Sequence, residues 1–401
     1  MNTLEAHSKH DAVIRILQHV PAPQPETLPL ANARSRVLLE TVYADREHPA
    51  INRATMDGFA LRSSEHAPGR GFPLSGKIAA GEAPPAHVAP GTCVAIATGA
   101  AVPDDLDAVV EHELSDRGDP VHFTIEHIVS GRNIHPRGID RAAGDVVLNA
   151  ASVIGPAEIG VAASMGHARL TLARKPNVIV ISTGEELLDI ALSPEPHQLR
   201  DSNQLMIASA VEALGGEVME IHRVPDTLEA TIDILQSTAP RCDLLITIGG
   251  VSAGEHDHVP AAWDHLAATP ILSRVAIQPG RPTRCWRCGP TLCLALPGNP
   301  VSALVCLHLF ARPWLRAMLG LDPLGDWEEA TLHEEITPNP HRTQYRPCML
   351  RPTLRIPAWH GSGDLPHLAS THGLIELPAQ EPPLGEGTTC ATLKWEYLSC
   401  T

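Results

Sequence analysis

No run of lysines and arginines occurs anywhere in the chain, and acidic residues outnumber basic ones 46 to 30. Nucleic acids and anionic membranes are met by clustered positive charge, so composition argues against both as partners. The 22 histidines offset part of the net charge of −16 below neutral pH. No segment approaches the ~20 apolar residues needed to cross a bilayer. The opening MNTLEAHSKHDAVIRILQHV reads as a polar amphipathic helix without the apolar stretch of a secretion signal. Together these absences predict a cytoplasmic protein. Nine cysteines form an odd, scattered set, and a chain of this size has no need of disulfide staples, so reduced thiols are expected. Cys285 and Cys288 have CxxC spacing, but no second cysteine or histidine pair follows at finger-like distance, although Cys293 lies nearby. Internal repeats and low-complexity segments are also missing, which excludes solenoids and fibrous classes.

What is present divides into segments, as expected for 401 residues, a length beyond which a single core rarely keeps growing. From about Val42 to Gly138 the chain is rich in glycine and proline, with short β-type runs at Thr92 to Ile96 and Ala108 to Val110. The helical segments at 4–20 and 156–165 are expected to pack together, making this β-rich module an insertion into a small helical domain. From Pro176 onward, strand, loop and helix alternate: VIVIS (178–182), a helix from Asn203 to Leu214, EVMEIHRV (217–224), a helix after Asp226, then LLITI (244–248). Such alternation predicts a parallel sheet wrapped by helices. Leu205, Ala208, Val211 and Leu214 share one helical face, and Gly215-Gly216 supplies the stop. Further strands are predicted near 271–277 and 291–296, and a long helix from Pro300 to Leu319 bent at Pro313. The predicted fold is a multidomain α/β plus β class. It comprises a discontinuous helical domain (1–44 and 139–174), the inserted β-rich module (45–138), a three-layer α/β domain of mainly parallel sheet (175–322) and a C-terminal β-domain (323–401).

Open parallel sheets bind ligands beyond the carboxyl ends of their strands. Three strand ends here are built for an anion: STGEELLD from Ser182, GGVSAGEHD from Gly249, and LPGNPVSA from Leu296. Gly249, Gly250 and Gly254 let backbone N–H groups approach closely, and Ser252 adds a hydroxyl. Asn299 can cap a helix whose first residue is Pro300, aiming the helix dipole at whatever lies above Pro297 and Gly298. One such loop reads equally well as a tight turn; three in one sheet favour phosphate. Carboxylates repel phosphate unless they hold Mg²⁺, which makes Glu186, Asp226 and Asp257 candidate metal ligands. Asp226, with Glu229 three residues on, also reads as a capping box, and Asp257 as the cap of the next helix. Glu186 has no comparable structural reading.

These segments bring out a resemblance spanning nearly the whole chain. TMDGFALR (55–62), ATGAAVPDDLDAVV (97–110), GRNIHPRGID with the following GD (131–145), STGEEL (182–187), DSN (201–203), GGVSAGEHD (249–257), QPGRP (278–282) and LPGNPVSA (296–303) resemble the molybdopterin molybdotransferase family, to which the gephyrin C-terminal domain is related. QYRPCML (344–350) and LASTHGLIELP (368–378) fit more loosely. The resemblance implies insertion of molybdate into adenylylated molybdopterin, with Mg²⁺-dependent release of AMP. It implies a homodimer of four-domain subunits that makes transient contact with other molybdenum cofactor biosynthesis proteins. The active site would lie between the α/β domain of one subunit and the β-rich module of the other. Asp57, Thr98 and Asp140 would then face Glu186, Asp226 and Asp257, and the molybdate pocket would fall on Gln278, Arg281, Ser302, Arg346 and Ser370. Arginine and hydroxyl donors suit a tetrahedral dianion. Without the resemblance, Asp57 is a turn residue, Thr98 a turn hydroxyl, Asp140 a solvated acid and each arginine a surface ion pair. The chain departs from the family in having QPGRP for Lys-Pro-Gly-Lys-Pro, PAINRAT before the MDG triplet, and Ile139 for a common glutamate. The alternative functions are pterin adenylylation by a divergent paralogue and a non-catalytic binding scaffold.

Overall fold

The computed structural model describes residues 6–251 and 257–395. The chain forms two compact units, one from Met1–Glu40, Ala150–Ile159 and Arg169–Thr401, the other from Thr41–Asn149 and Gly160–Ala168.

The first unit is organised by a six-stranded sheet in the order Glu217–Val224, Asn177–Thr183, Leu244–Ile248, Thr291–Leu296, Arg284–Cys288, Thr269–Leu272. The first four strands are parallel, and Arg284–Cys288 runs against both its neighbours. The central strands are continuous apolar runs because both faces are covered. On one face Val178, Val180, Leu244 and Ile246 share a core with Ile207 and Val211 of the helix Ser202–Ala213. On the other, Ile179, Ile181 and Leu245 meet Leu235 of Leu228–Thr238 and Trp263 of His258–His265. Helix, sheet and helix therefore make three layers.

Several elements differ from the sequence reading. The helix at Lys9–Leu17, capped by Ser8, buries Ala12, Val13 and Ile16 in the sheet's first core beside Trp314 and Leu315. The expected pairing of this helix with the one at 156–165 is corrected accordingly, since its apolar face is spent on the larger surface of the sheet domain. The helix expected from Asn203 begins at Ser202; Ala208, Val211 and Leu214 of the expected face are buried, joined by Ile207 and Ala210, while Leu205 is 50% exposed. The strand expected over 271–277 ends at Leu272, and Ile277–Gln278 leaves to pair in parallel with Thr343–Cys348 of another sheet. Arg284–Cys288 was not expected as a strand, because two arginines and two cysteines break the apolar pattern. It places Cys285 in the first core while Cys288 packs against the second, so the CxxC thiols belong to opposite faces. Burial pushes the Cys285 thiol well up. The disturbance expected at Pro313 takes the form of a π-turn, Leu307–Ala311, between the helices Pro300–Cys306 and Arg312–Met318. Proline lacks an N–H and crowds the carbonyl four residues back, and a widened turn accommodates both.

The rest of the first unit includes an antiparallel ribbon of Pro25–Pro29 with Arg169–Ala173. A five-stranded sheet has the order Ile277–Gln278, Thr343–Cys348, Gly373–Leu377, Thr389–Lys394, Trp327–Thr331. The second unit centres on a four-stranded sheet ordered Leu74–Ile78, Cys93–Ile96, Gly58–Leu61, Ala108–Glu111, with small cores on its faces. No helix of the described residues is long and apolar enough to cross a membrane.

The MDG triplet has a packing reason. A Cβ added to Gly58 would stand 2.0 Å from the Val110 carbonyl oxygen and 2.9 Å from the Glu111 Cα, both backbone atoms that move only with the sheet. Gly58→Ala is expected to lower unfolding free energy by about 1–3 kcal/mol, as overpacking does. Denaturant titration reads this directly, and an unchanged midpoint with unchanged slope would count against the tight approach.

Candidate active site

Asn177–Thr183, Leu244–Ile248 and Thr291–Leu296 are sheet neighbours, so the loops after them meet at one edge. Gly249 donates its N–H to the Leu296 carbonyl at 3.0 Å. A Cβ on Gly249 would lie 2.8 Å from the Thr183 carbonyl oxygen, and one on Gly298 would touch the Gly249 Cα at 3.7 Å. Gly249 and Gly250 have φ of +90° and +63°, a conformation that glycine adopts freely. Above them opens a cavity of about 700 Å³. Its walls include Glu186, Asp226, Asp257, Gly249, Gly250, Pro297, Gly298, Asn299 and Pro300, nine of the expected site residues. Ser252 and Gly254 lie outside the described residues.

The structure bears on the capping readings of the carboxylates. The helix Leu228–Thr238 is capped by Thr227, whose hydroxyl accepts the Ala230 N–H, so the capping-box reading of Asp226 is corrected. Asp226 stands one residue upstream and lines the cavity. Asp257 occupies the N-cap position of His258–His265 without a side-chain capping hydrogen bond. Asn299 likewise precedes its helix without capping it, and its Nδ2 donates to Ser362 Oγ at 2.9 Å. The exposed Glu186 carboxylate lies back over Gly184, 2.7 Å from where a Cβ would stand.

Two cavity residues lie in segments that the sequence marked, STGEELLD and DSN, but were assigned no role there. Thr183 Oγ1 and Asn203 Oδ1 are buried polar atoms with no hydrogen-bond partner among the described residues, and both residues line the cavity. Asn203 is held by its amide, which donates to the Gly298 carbonyl at 2.6 Å. Beneath them Ser182 Oγ donates to Asp201 at 2.5 Å, while Gln204 Nε2 donates to Ser182 Oγ and the His222 carbonyl at 2.6 and 2.7 Å. This network locks the helix Ser202–Ala213 to the strand end. The DSN tripeptide marked the place, but orphaned atoms are visible only in three dimensions.

The carboxylates suit magnesium. Glu186, Asp226 and Asp257 offer only hard oxygen donors, and no group of three His, Cys, Asp or Glu among the described residues is close enough for an all-protein cage. Magnesium is usually held by one or two carboxylates completed by substrate phosphate and water, and the donor set fits that mode.

A second cavity of about 400 Å³ shares Pro282, Pro297 and Asn299 with the first. Gln278, Arg281, Ser302, Arg342 and Trp359 line it, and no carboxylate does among the described residues. Gln278 Oε1 accepts from Asn339 Nδ2 at 2.6 Å and Gln344 Nε2 at 3.4 Å, which gives the QPGRP departure a structural role as a neutral acceptor. Arg346 does not line this cavity; its guanidinium sits 5.4 Å from the centroid of Trp359, whose ring does. Burial pushes Arg346 below the ordinary arginine value, against the pull of Glu334. Ser370 also lies off the wall, its hydroxyl donating to the His367 carbonyl at 3.0 Å. Arg342 and Trp359 went unnoticed in sequence because they sit in stretches without periodicity.

In the second unit Thr98 donates both its N–H and its hydroxyl to Asp57 Oδ1, at 2.7 and 2.8 Å. These bonds hold the exposed Asp57 carboxyl below the usual range, with His112 adding a smaller pull. Asp140 is held separately, by His135 Nε2 at 3.0 and 3.1 Å.

Comparison with known proteins gives these cavities a context. Residues 7–166 match the MoeA N-terminal region (domain I and II), 179–317 a probable molybdopterin binding domain, and 329–395 the MoeA C-terminal region (domain IV). The chain belongs to the molybdopterin molybdenumtransferase family. A molybdopterin molybdenumtransferase 2 of Mycobacterium tuberculosis is 34% identical over 384 residues, covering 92% of this chain and 94% of that protein. A molybdopterin molybdenumtransferase of Synechocystis sp. is 30% identical over 398 residues, covering 96% and 99%. A molybdopterin biosynthesis MoeA protein from Pyrococcus horikosii has a similar fold, with a TM-score of 0.84 at 25% identity over 98% of this chain and 99% of that one. As a member of the molybdenumtransferase family, the chain is a transferase enzyme.

The Thr98 bonds favour the ionised form of Asp57. A depressed carboxyl contributes stability that is present above its unfolded value and lost as pH falls through the folded one. Thr98→Ala is expected to raise the Asp57 titration midpoint toward the ordinary aspartate range, followed by carboxyl NMR. A midpoint that stays depressed would assign the shift to something other than Thr98.

Proposed function

We propose that the protein inserts molybdate into adenylylated molybdopterin, releasing AMP with the help of Mg²⁺, and that it works as a cytoplasmic homodimer of four-domain subunits in transient contact with other molybdenum cofactor biosynthesis proteins. The observation that carries this reading is the pair of adjoining cavities, one lined by carboxylates and glycine-containing strand-end loops, the other by arginines without a carboxylate among the described residues. A pterin nucleotide and a tetrahedral oxyanion need such a pair.

In this reading the Gly249 and Gly250 loop cradles the diphosphate, and Thr183 Oγ1 and Asn203 Oδ1 gain the hydrogen-bond partners they lack. One or two of Glu186, Asp226 and Asp257 would hold Mg²⁺ together with phosphate oxygens, and its chemistry would be to neutralise the charge of the phosphoanhydride. Arg281 and the buried Ser302 hold molybdate across the wall of Pro282, Pro297 and Asn299. Asp57, kept ionised by Thr98, and Asp140, held by His135, supply fixed carboxylates to the same reaction. The two dithiolene sulfurs then bind molybdenum in place of one oxygen, which leaves as water with the two thiol protons, and a second water cleaves the phosphoanhydride. The protein's contribution is positioning and charge neutralisation, with no covalent nucleophile. Pterin adenylylation would require only the first cavity, so the arginine-lined cavity favours insertion; a scaffold would need neither.

The direct test supplies the protein with adenylylated pterin and Mg²⁺, with and without molybdate. Molybdate-dependent AMP release, coupled to reconstitution of an apo-molybdoenzyme, is expected; AMP release that ignores molybdate would overturn the reading. Glu186→Gln is expected to cut insertion about 100-fold or more, as loss of a charge-stabilising group does, while thermal melting stays unchanged because the side chain is exposed. Unfolding of this variant would remove the catalytic assignment. Mixing inactive Asp57→Ala and Asp257→Ala chains tests the shared dimer site. Random exchange puts one intact site in about half the dimers, so recovery of roughly a quarter of normal activity is expected. Confirmed subunit exchange without recovery would mean that each chain builds its own site.

A further inference from the structure

We propose that Arg342 is an oxyanion-binding residue that, with Arg281, gives the second cavity the two positive charges a tetrahedral dianion requires. The inference rests on the proposed function and adds to it a residue that sets the cavity's preference for charge.

The placement follows from strand register. Ile277–Gln278 pairs in parallel with Thr343–Cys348, with Ile277 opposite Thr343 and Gln278 opposite Gln344. Arg342, immediately before this pairing, is therefore set beside the segment that carries Gln278 and Arg281. Within that strand Gln344 and Arg346 share one face, with the buried Tyr345 on the other. Arg342 lines the cavity directly.

Its electrostatic situation differs from that of the arginines that are answered by an acid. Arg36, Arg132, Arg174 and Arg312 each have a carboxylate within salt-bridge distance. Arg342 is half-buried and has neither an ion pair nor a side-chain hydrogen bond within the described residues, although acids outnumber bases 46 to 30. The other wall groups do not answer it: Gln278 is a neutral amide tied to Asn339 and Gln344, and Arg281 is a second cation. Arg346 is stacked on Trp359, which closes the wall beside Arg342. Two guanidinium forks facing one small cavity repel each other until an anion enters. Their planar donors match the oxygens of a tetrahedral dianion.

The experiment is calorimetric titration of the full-length protein with sodium molybdate, and with sulfate as a second probe of the same shape and charge. Arg342→Gln is expected to weaken molybdate binding about 10-fold or more, the effect of losing one charge-assisted hydrogen bond. Sulfate should weaken in parallel, because the residue reads charge and shape. In the AMP-release assay the KM for molybdate should rise by a similar factor while kcat at saturating molybdate changes little. Arg342→Lys, which keeps the charge without the fork, should fall between. Arg287→Gln, at an exposed position away from both cavities, should bind as wild type, and all variants should melt alike. If wild type binds molybdate and Arg342→Gln binds it equally well, this inference fails and the proposed function stands. If wild type binds no molybdate, the oxyanion reading of the cavity fails and takes this inference with it.

Discussion

The site depends on a backbone contact: the loop after Leu244–Ile248 lies directly against the carboxyl end of Asn177–Thr183. Gly249 approaches the Thr183 carbonyl more closely than any side chain would permit, and Gly298 closes in from the third strand. That contact brings three parallel strand ends together under one cavity. The parallel sheet makes the contact possible because it puts all three carboxyl ends at the same edge. The Ser182, Asp201 and Gln204 network then ties the adjoining helix to that edge, which fixes Asn203 over the floor.

A chain with a net charge of −16 has to bind anions locally rather than by its overall field. The two cavities solve this in different ways. The first keeps its carboxylates and suits a hard cation, so that phosphate charge is met through a metal and backbone amides. The second has no lining carboxylate among the described residues and presents guanidinium groups. The common wall of Pro282, Pro297 and Asn299 keeps the acidic and basic linings apart over a short distance. Low local dielectric makes such separation effective, since opposite charges in one cavity would pair with each other instead of with ligand.

The second unit contributes a different kind of order. Gly58 is required by the close packing of neighbouring strands, and Asp57 immediately before it is fixed by two donors from one residue, Thr98. The adjacent positions thus serve separate ends, sheet packing and an oriented ionised carboxylate.

The sequence by itself determined the parallel α/β core, through the uninterrupted apolar runs at 178–182 and 244–248, and the positions of the strand-end loops, through their glycines and polar residues. Local chemistry suffices for these features, because strand burial and tight turns leave a residue-by-residue imprint. It also marked Glu186, Asp226 and Asp257, but left cap and cavity roles open for the last two. Only the tertiary structure showed Thr227 taking the cap of the helix Leu228–Thr238, leaving Asp226 at the cavity wall. The strand at Arg284–Cys288 was hidden because its arginines and cysteines obey no apolar rhythm, and the docking of Lys9–Leu17 on the sheet was hidden because an amphipathic helix does not name its partner. Arg342 and Trp359 were invisible as site residues, and Thr183 and Asn203 lay in marked segments without a role, for the same reason: what distinguishes them is a missing hydrogen-bond or ion-pair partner, or a place on a cavity wall. Both are properties of atoms far apart in sequence, and only the folded chain brings those atoms together.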